Sequence, residues 1–319
     1  MEPITFQPLY MERVWGGREL ERVYGRDLPA ALLPIGESWE MVDREHEQSM
    51  VDGGVMAGCS LHELWTTRRE EIFGAGLADE ERFPLLIKVL DAREDLSLQV
   101  HPPEGLAARL GGDPKTEMWF IAECDPGAQL YVGLRQGVTK ERFEQAIANG
   151  TAAECVHAIR PAPGDSIFIP SGRLHAIGAG FLIHEIQQNS DTTYRVFDWN
   201  RSCLDGQSRA LHVDQALASI DFNDIEPTMD LPAGDTLASC AYFKTERKSP
   251  AAGQWLANPE AGKFSVLSVI CGVLESAGGR RFRKGQLLLL PCAAAPLKAL
   301  ENSTVLQVTL PLAQGASYC

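Results

Sequence analysis

Short apolar runs, each closed by glycine or proline, recur along the whole chain, and this punctuation limits what the chain can fold into. The 29 Gly and 19 Pro are spread through all 319 residues. Strands of about four to eight residues fit between such breakers, and long helices do not. Runs of this kind span residues 84–92, 96–101, 117–124, 129–134, 166–171, 181–188, 193–199, 264–276, 285–291 and 303–311. They predict a mainly β architecture with turns at short intervals.

Helix signals are fewer. Ser60 followed by Glu63 forms a capping box that opens a helix over 60–74. Thr139 stands at the cap of 139–150, where Phe143 and Ile147 lie four apart and Asn149-Gly150 closes the segment. Residues 104–112 and 213–220 are shorter candidates. Between 224 and 239 the chain is rich in Pro, Gly and Asp, a linker composition. This predicts a first domain over 1–235 carrying the chemistry and a smaller β domain over 236–319 with a packing role.

Composition enters as a filter on partners. A content of 45% apolar residues supports a sizeable core without staples. The formal net charge of −14 disfavours nucleic acid and anionic membrane surfaces, while a small anion can still be held by a few local cations. No window approaches the roughly 18–20 apolar residues of a membrane span, and the opening MEPITFQPLYMERVWGG reads as no secretory leader. Cys59, Cys124, Cys155, Cys203, Cys240, Cys271, Cys292 and Cys319 form no C-x-x-C pair. They read as reduced residues of a cytoplasmic protein, not as a disulfide or four-cysteine zinc framework.

Three segments carry residues suited to chemistry. In 95–101 the pattern alternates: Leu96, Leu98 and Val100 take one face, and Asp95, Ser97, Gln99 and His101 take the other. A polar face on a buried strand is costly unless it meets water, a metal or a ligand, and the segment alone leaves those open. Glu117 stands at the mouth of the apolar strand EMWFIAEC, as a solvated strand end or as a ligand, and Lys115 shares its face. The third segment, Gly164 to His175, fits G-x5-P-x-G-x2-H. Gly164 turns into a strand, Pro170 and Gly172 end it in a tight corner, and His175 is placed by that frame.

This last pattern is the second signature of the cupin barrels. From LSLQVHP through PKTEMW and PGDSIFIPSGRLHAI to HEIQQNSDTTYRVFDWNR, with ERVWGG and GESWEM near the start, the sequence resembles the type I phosphomannose isomerases of the short bacterial form. The resemblance implies a cupin-type jelly-roll barrel, plus a second, degenerate β-barrel, and a zinc-dependent interconversion of mannose 6-phosphate and fructose 6-phosphate. The family's zinc ligands fall on Gln99, His101, Glu117 and His175, holding one zinc ion per chain. Its active-site arginine falls on Arg195, whose other reading is an ion pair with Asp191 or Asp198. Ser97, Lys115 and Glu185 match its substrate-contacting and proton-handling groups.

The residue types suit that chemistry. Two imidazoles, a carboxylate and an amide oxygen make a site fit for Zn²⁺ with a position left open. Lys115 and Glu185 are candidate bases for a proton-transfer route through an enediol, each with a pKa expected to move toward neutrality. No G-x-G-x-x-G or Walker A motif calls for a nucleotide cofactor. Two other readings stand beside this one. His101, Glu117 and His175 would also serve an Fe(II) oxygenase of the cupin type, against which Gln99 argues by closing a position. A sugar-binding cupin without turnover is the third, against which Lys115, Glu185 and Arg195 argue. His184 is expected to be structural, and Trp15, Trp39, Trp119 and Trp199 to form core or cleft wall.

Overall fold

The computed structural model describes residues 1–199, 201 and 208–312; Asn200, Cys203 and Cys319 lie outside them. The architecture is mainly β, as expected. In chain order the first eleven strands are β1 (Leu9–Gly17), β2 (Ile35–Met41), β3 (Leu85–Ala92), β4 (Leu98–Val100), β5 (Glu117–Cys124), β6 (Leu130–Leu134), β7 (Val156–Ile159), β8 (Ser166–Ile169), β9 (His175–Ile177), β10 (Phe181–Gln188) and β11 (Tyr194–Phe197). The helices are α1 (Glu19–Tyr24), α2 (Leu61–Thr67), α3 (Arg69–Ile72), α4 (Glu104–Ala107), α5 (Lys140–Ala148) and α6 (Val213–Ser219). No helix among them is long and apolar enough to cross a membrane.

The chain divides into two compact units. One comprises Tyr10–Trp39 and Ile87–Asp230; the other comprises Met1–Leu9, Glu40–Leu86 and the chain from Leu231 onward. The first of these holds a six-stranded sheet in the order β1-β2-β3-β10-β5-β8 and a five-stranded sheet in the order β11-β4-β9-β6-β7. Trp15, Leu90, Trp119, Ile121, Leu130, Val132, Ile167, Ile177 and Ile183 from the two sheets pack into one core.

The outer face of the five-stranded sheet is also apolar. Leu98, Val100, Leu134, Ala176 and Val196 pack there with Phe143 and Ala146 of α5 and Ala216 of α6. The five-stranded sheet is therefore buried on both faces. Leu98 and Val100 face the helices, so Gln99 faces the space between the sheets. Leu96 precedes β4, donates its N–H to the Ile177 carbonyl at 2.7 Å and joins the inner core instead. Asp95 also leaves the polar row, accepting the Ala179 N–H at 2.8 Å to close a turn.

The helix expected over 60–74 begins as read, with the Ser60 hydroxyl accepting the Glu63 N–H at 3.0 Å. It then breaks into α2 and α3 at Arg68, where φ is −130°. Thr66 and Thr67 bond back to the carbonyls of His62 and Glu63, a competition that weakens a helix from inside. At the second cap the Thr139 hydroxyl accepts the Arg142 N–H at 3.3 Å, and α5 ends at Ala148 as expected.

The other unit adds β12 (Thr236–Ser239), β13 (Lys244–Lys248), β14 (Trp255–Leu256), β15 (Ser265–Cys271), β16 (Val273–Glu275), β17 (Arg281–Arg283), β18 (Leu287–Leu290), β19 (Leu297–Ala299) and β20 (Thr304–Thr309). They form sheets ordered β12-β13-β20-β15-β18 and β14-β19-β16-β17, packed over Leu267, Val269, Leu274, Phe282, Leu288, Leu290 and Val305. The run 264–276 is two strands, not one. Gly272 stands between them at φ 88°, with a Cβ position 2.2 Å from Ser303 Oγ, so only glycine fits that kink. Trp65, Phe73, Phe83 and Phe264 stack edge to face at 5.0–6.1 Å within the same unit.

Candidate active site

Strand pairing builds the site. Across the five-stranded sheet, Arg195 opposes Gln99, Gln99 opposes His175, and His175 opposes Val132. Directly opposed residues share a face, so Arg195, Gln99 and His175 stand in one row. Across the six-stranded sheet, Gln187 opposes Glu117 and Glu185 opposes Trp119. The two rows meet: the Trp119 ring packs edge-on against His175 at 5.4 Å, and Glu117 Oε1 lies 3.6 Å from His175 Nε2.

His101 follows β4 directly, and its Nε2 is 3.6 Å from Glu117 Oε2. One ligand atom from each of His101, Glu117 and His175 lies within 4.8 Å of the others, and all three residues are buried. Both histidines donate from Nδ1 to a backbone carbonyl: His101 to Thr192 at 2.8 Å and His175 to Arg173 at 2.9 Å. Each therefore turns its Nε2 lone pair inward. His101 Nε2 and Glu117 Oε1 are buried with no hydrogen-bond partner among the described residues. Buried polar atoms left unpaired cost free energy, and a cation held between them would remove that cost. The donor set therefore fits a metal ion. Gln99 lines the same point, with Nε2 at 3.4 Å from His175 Nε2 and Oε1 accepting from Ser97 Oγ at 3.1 Å. To present oxygen to a cation its flat amide turns over, and the Ser97 hydroxyl then accepts instead of donating.

A chain of alternating charges leads away from this point. Lys115 Nζ lies 2.7 Å from Glu117 Oε2 and 3.7 Å from Glu185 Oε1. Lys88 Nζ lies 3.7 Å from Glu185 Oε1, 3.5 Å from Glu37 Oε2 and 3.8 Å from Asp191 Oδ1. Arg13 Nε donates to Glu37 Oε1 at 2.7 Å. Trp119 Nε1 donates to Glu185 at 3.0 Å and Trp39 Nε1 to Glu37 at 2.6 Å, so both are buried tryptophans with a polar task.

These contacts set the protonation states. Burial pushes both imidazoles down, with His101 adding to it for His175, which falls to about 3; both are neutral at pH 7. Burial pushes the Glu117 carboxyl up, but the Lys115 ammonium foremost holds it well below the usual carboxylate range. Burial, and then the neighbouring Glu117, push Glu185 up, toward neutrality as expected. Lys115 departs from expectation. Burial would lower it, yet Glu117 and Glu185 outweigh burial and raise its pKa, so it is held as a cation.

Arg195 makes no ion pair among the described residues, and its Nε is buried without a partner. Asp198, an expected alternative partner, is taken by Arg201 at 2.8 Å and by Arg209. Burial, and then Arg209, lower the Arg195 pKa. His184 points to the opposite face of β10 from Glu185, and its Nε2 meets the Tyr24 hydroxyl at 2.7 Å, a structural contact as read.

Comparison with known proteins decides the family. A family model described as phosphomannose isomerase type I, catalytic domain, matches residues 4–129. The mannose-6-phosphate isomerase ManA of Bacillus subtilis is 36% identical over 318 residues, covering 93% of this chain and 95% of that protein. The chain belongs to the type I phosphomannose isomerases. The mannose-6-phosphate isomerase of Streptococcus mutans is 34% identical, covering 91% of this chain and 92% of its own. The crystal structure of the mannose 6-phosphate isomerase from Bacillus subtilis superimposes with a TM-score of 0.87 at 30% identity, covering 97% of this chain and all of that one. Family membership makes the chain an aldose–ketose isomerase with a cupin fold, and sets aside the oxygenase and the non-catalytic sugar binder.

In this phosphomannose isomerase the sequence reading passed over Arg13, Glu37 and Lys88. Lys88 had a visible signal: it is the one cation inside LLIKVLDA, a strand buried at every position. Glu37 in GESWEM sits likewise in a strand with no exposed residue.

Proposed function

We propose that the protein interconverts mannose 6-phosphate and fructose 6-phosphate by proton transfer through an enediol, serving mannose metabolism. The observation that carries this is the buried His101–Glu117–His175 group, with unpaired ligand atoms converging on one point beside Lys115, Glu185 and Arg195. Gln99, His101, Glu117 and His175 would hold one zinc ion. When bound, that ion supplies Lewis acidity toward a sugar oxygen.

The chain's own residues divide the remaining work. Glu185 is the proton-handling group, supported by its raised pKa and by the Trp119 N–H that fixes one carboxylate oxygen. Lys115, held as a cation, stabilises negative charge developing on substrate oxygen and contacts substrate with Ser97. Arg195, a partly buried guanidinium with no ion pair among the described residues, binds the substrate's oxyanion or phosphate. The six described cysteines are all free, in keeping with a reducing, cytoplasmic setting.

The test is an isomerase assay in deuterated water. Mannose 6-phosphate should be consumed, with deuterium entering C2 of mannose 6-phosphate and C1 of fructose 6-phosphate. Turnover with no label after many cycles would favour a hydride shift. No turnover would remove the proposed activity.

A further inference from the structure

His175 depends on a corner whose geometry is set from outside the site. The residue opens β9, a strand of three residues, and its ring orientation is fixed by the hydrogen bond from Nδ1 to the Arg173 carbonyl at 2.9 Å. That carbonyl belongs to the corner between β8 and β9. There the Arg173 N–H donates to the Pro170 carbonyl at 3.1 Å, and Gly172 donates to the His101 carbonyl at 2.9 Å. The same corner therefore carries the ring of one histidine and the backbone of the other.

The Arg173 side chain turns away from the site and clamps three segments. Its Nε and Nη2 donate to the two carboxylate oxygens of Asp224 at 2.8 and 2.9 Å, and its Nη1 donates to the Phe168 carbonyl at 2.7 Å. Asp224 is itself fixed, because its carbonyl accepts the Leu134 N–H at the end of β6 at 2.9 Å. Phe168 lies on β8, the edge of the six-stranded sheet. A two-point fork to Asp224 with a third bond to the backbone defines the guanidinium in position and in plane, which one ammonium could not do. Both partners are mostly buried, at 15% and 17% side-chain exposure, so water competes weakly for these bonds.

We propose that Arg173, through its fork to Asp224, is a positioning residue for the metal site: it holds the backbone carbonyl that keeps His175 protonated on Nδ1 and aims Nε2 at the ligand point. The inference rests on reading His101, Glu117 and His175 as metal ligands. Groups that orient ligating histidines commonly alter metal affinity by about 10–100-fold when removed.

Two readouts on the full chain test it. In the metal-free protein, long-range proton–nitrogen correlation of the histidine rings should show His175 as the Nδ1–H tautomer, and Arg173→Met should mix the tautomers. In competition with a chelator, the Kd for Zn²⁺ should rise about 10–100-fold in Arg173→Met, and Arg173→Lys should fall between it and the parent. Asp224→Asn, which leaves the Phe168 bond in place, should shift both readouts in the same direction by less, and serves if Arg173→Met does not fold. A clamp serving only the fold would lower the melting temperature while leaving tautomer and zinc Kd within about threefold of the parent, and that result overturns the proposal. His175→Ala separates the two claims. If it leaves zinc binding unchanged, the ligand reading fails and the proposal falls with it; if it abolishes binding while Arg173→Met does not weaken it, only the positioning role fails.

Discussion

Lys88→Met removes one charge from the alternating chain and leaves its neighbours exposed to burial. Lys88 is 4% exposed and lies within 4 Å of Glu37, Glu185 and Asp191. Burial alone would raise the Glu37 carboxyl, but Lys88 foremost, then Arg13 and the Trp39 N–H, bring it from 4.5 to about 2. That difference corresponds to about 3 kcal/mol of stability at neutral pH. A carboxyl with a depressed native pKa contributes fully above its unfolded value, and the contribution disappears as pH falls through the native one. Arg13 and Trp39 share that contribution, so the loss in Lys88→Met should be at most about 3 kcal/mol at pH 7 and should shrink between pH 4.5 and 2. The assay is denaturant unfolding of the parent, Lys88→Met, Glu37→Gln and the double variant. The cycle should give a coupling of about 2 kcal/mol at pH 7. Additivity within about 0.5 kcal/mol would refute the claim that Lys88 is what holds Glu37 ionised.

Two further predictions concern the reaction. Arg195→Ala should lower kcat/KM by about two to four powers of ten with an unchanged melting temperature, and Arg195→Lys should recover little, because an ammonium does not place donors as a guanidinium fork does; unchanged steady-state constants would take Arg195 out of the site. Glu185→Gln should lose far more kcat than substrate affinity and lose solvent exchange at C2, whereas Lys115→Met should lose rate but keep the exchange; the opposite pattern would exchange their roles.

How much of this was legible in the sequence depended on how local the physics was. The frame around His175 was readable because Gly164 and Gly172 both take φ near 90°, a conformation glycine alone adopts without strain. Ser60 and Thr139 announced their helices because a cap is a contact over three residues. Gln99 and His101 could be paired because alternation is a property of one strand, although Leu96 broke that pattern by entering the inner core. The break of 60–74 at Arg68 followed from threonine side chains bonding within their own helix, which a periodicity of apolar residues does not register. Lys88 and Glu37 could not be joined by local reading, since they meet across strands about fifty residues apart in sequence. The direction of the Lys115 pKa was only partly local: Glu117, two residues on and 2.7 Å away, raises it most, and Glu185, seventy residues further on, adds to it from 3.7 Å.

We propose that one divalent cation held by His101, Glu117 and His175, with Gln99, is required for isomerisation. The most direct test strips the protein with a chelator and titrates Zn²⁺ back while following fructose 6-phosphate formed from mannose 6-phosphate. Activity should vanish on stripping and return in proportion to bound zinc up to one ion per chain, and Glu117→Ala should stay folded, bind no zinc and show no turnover. Full activity in the stripped protein, or an active zinc-free Glu117→Ala, would contradict the account.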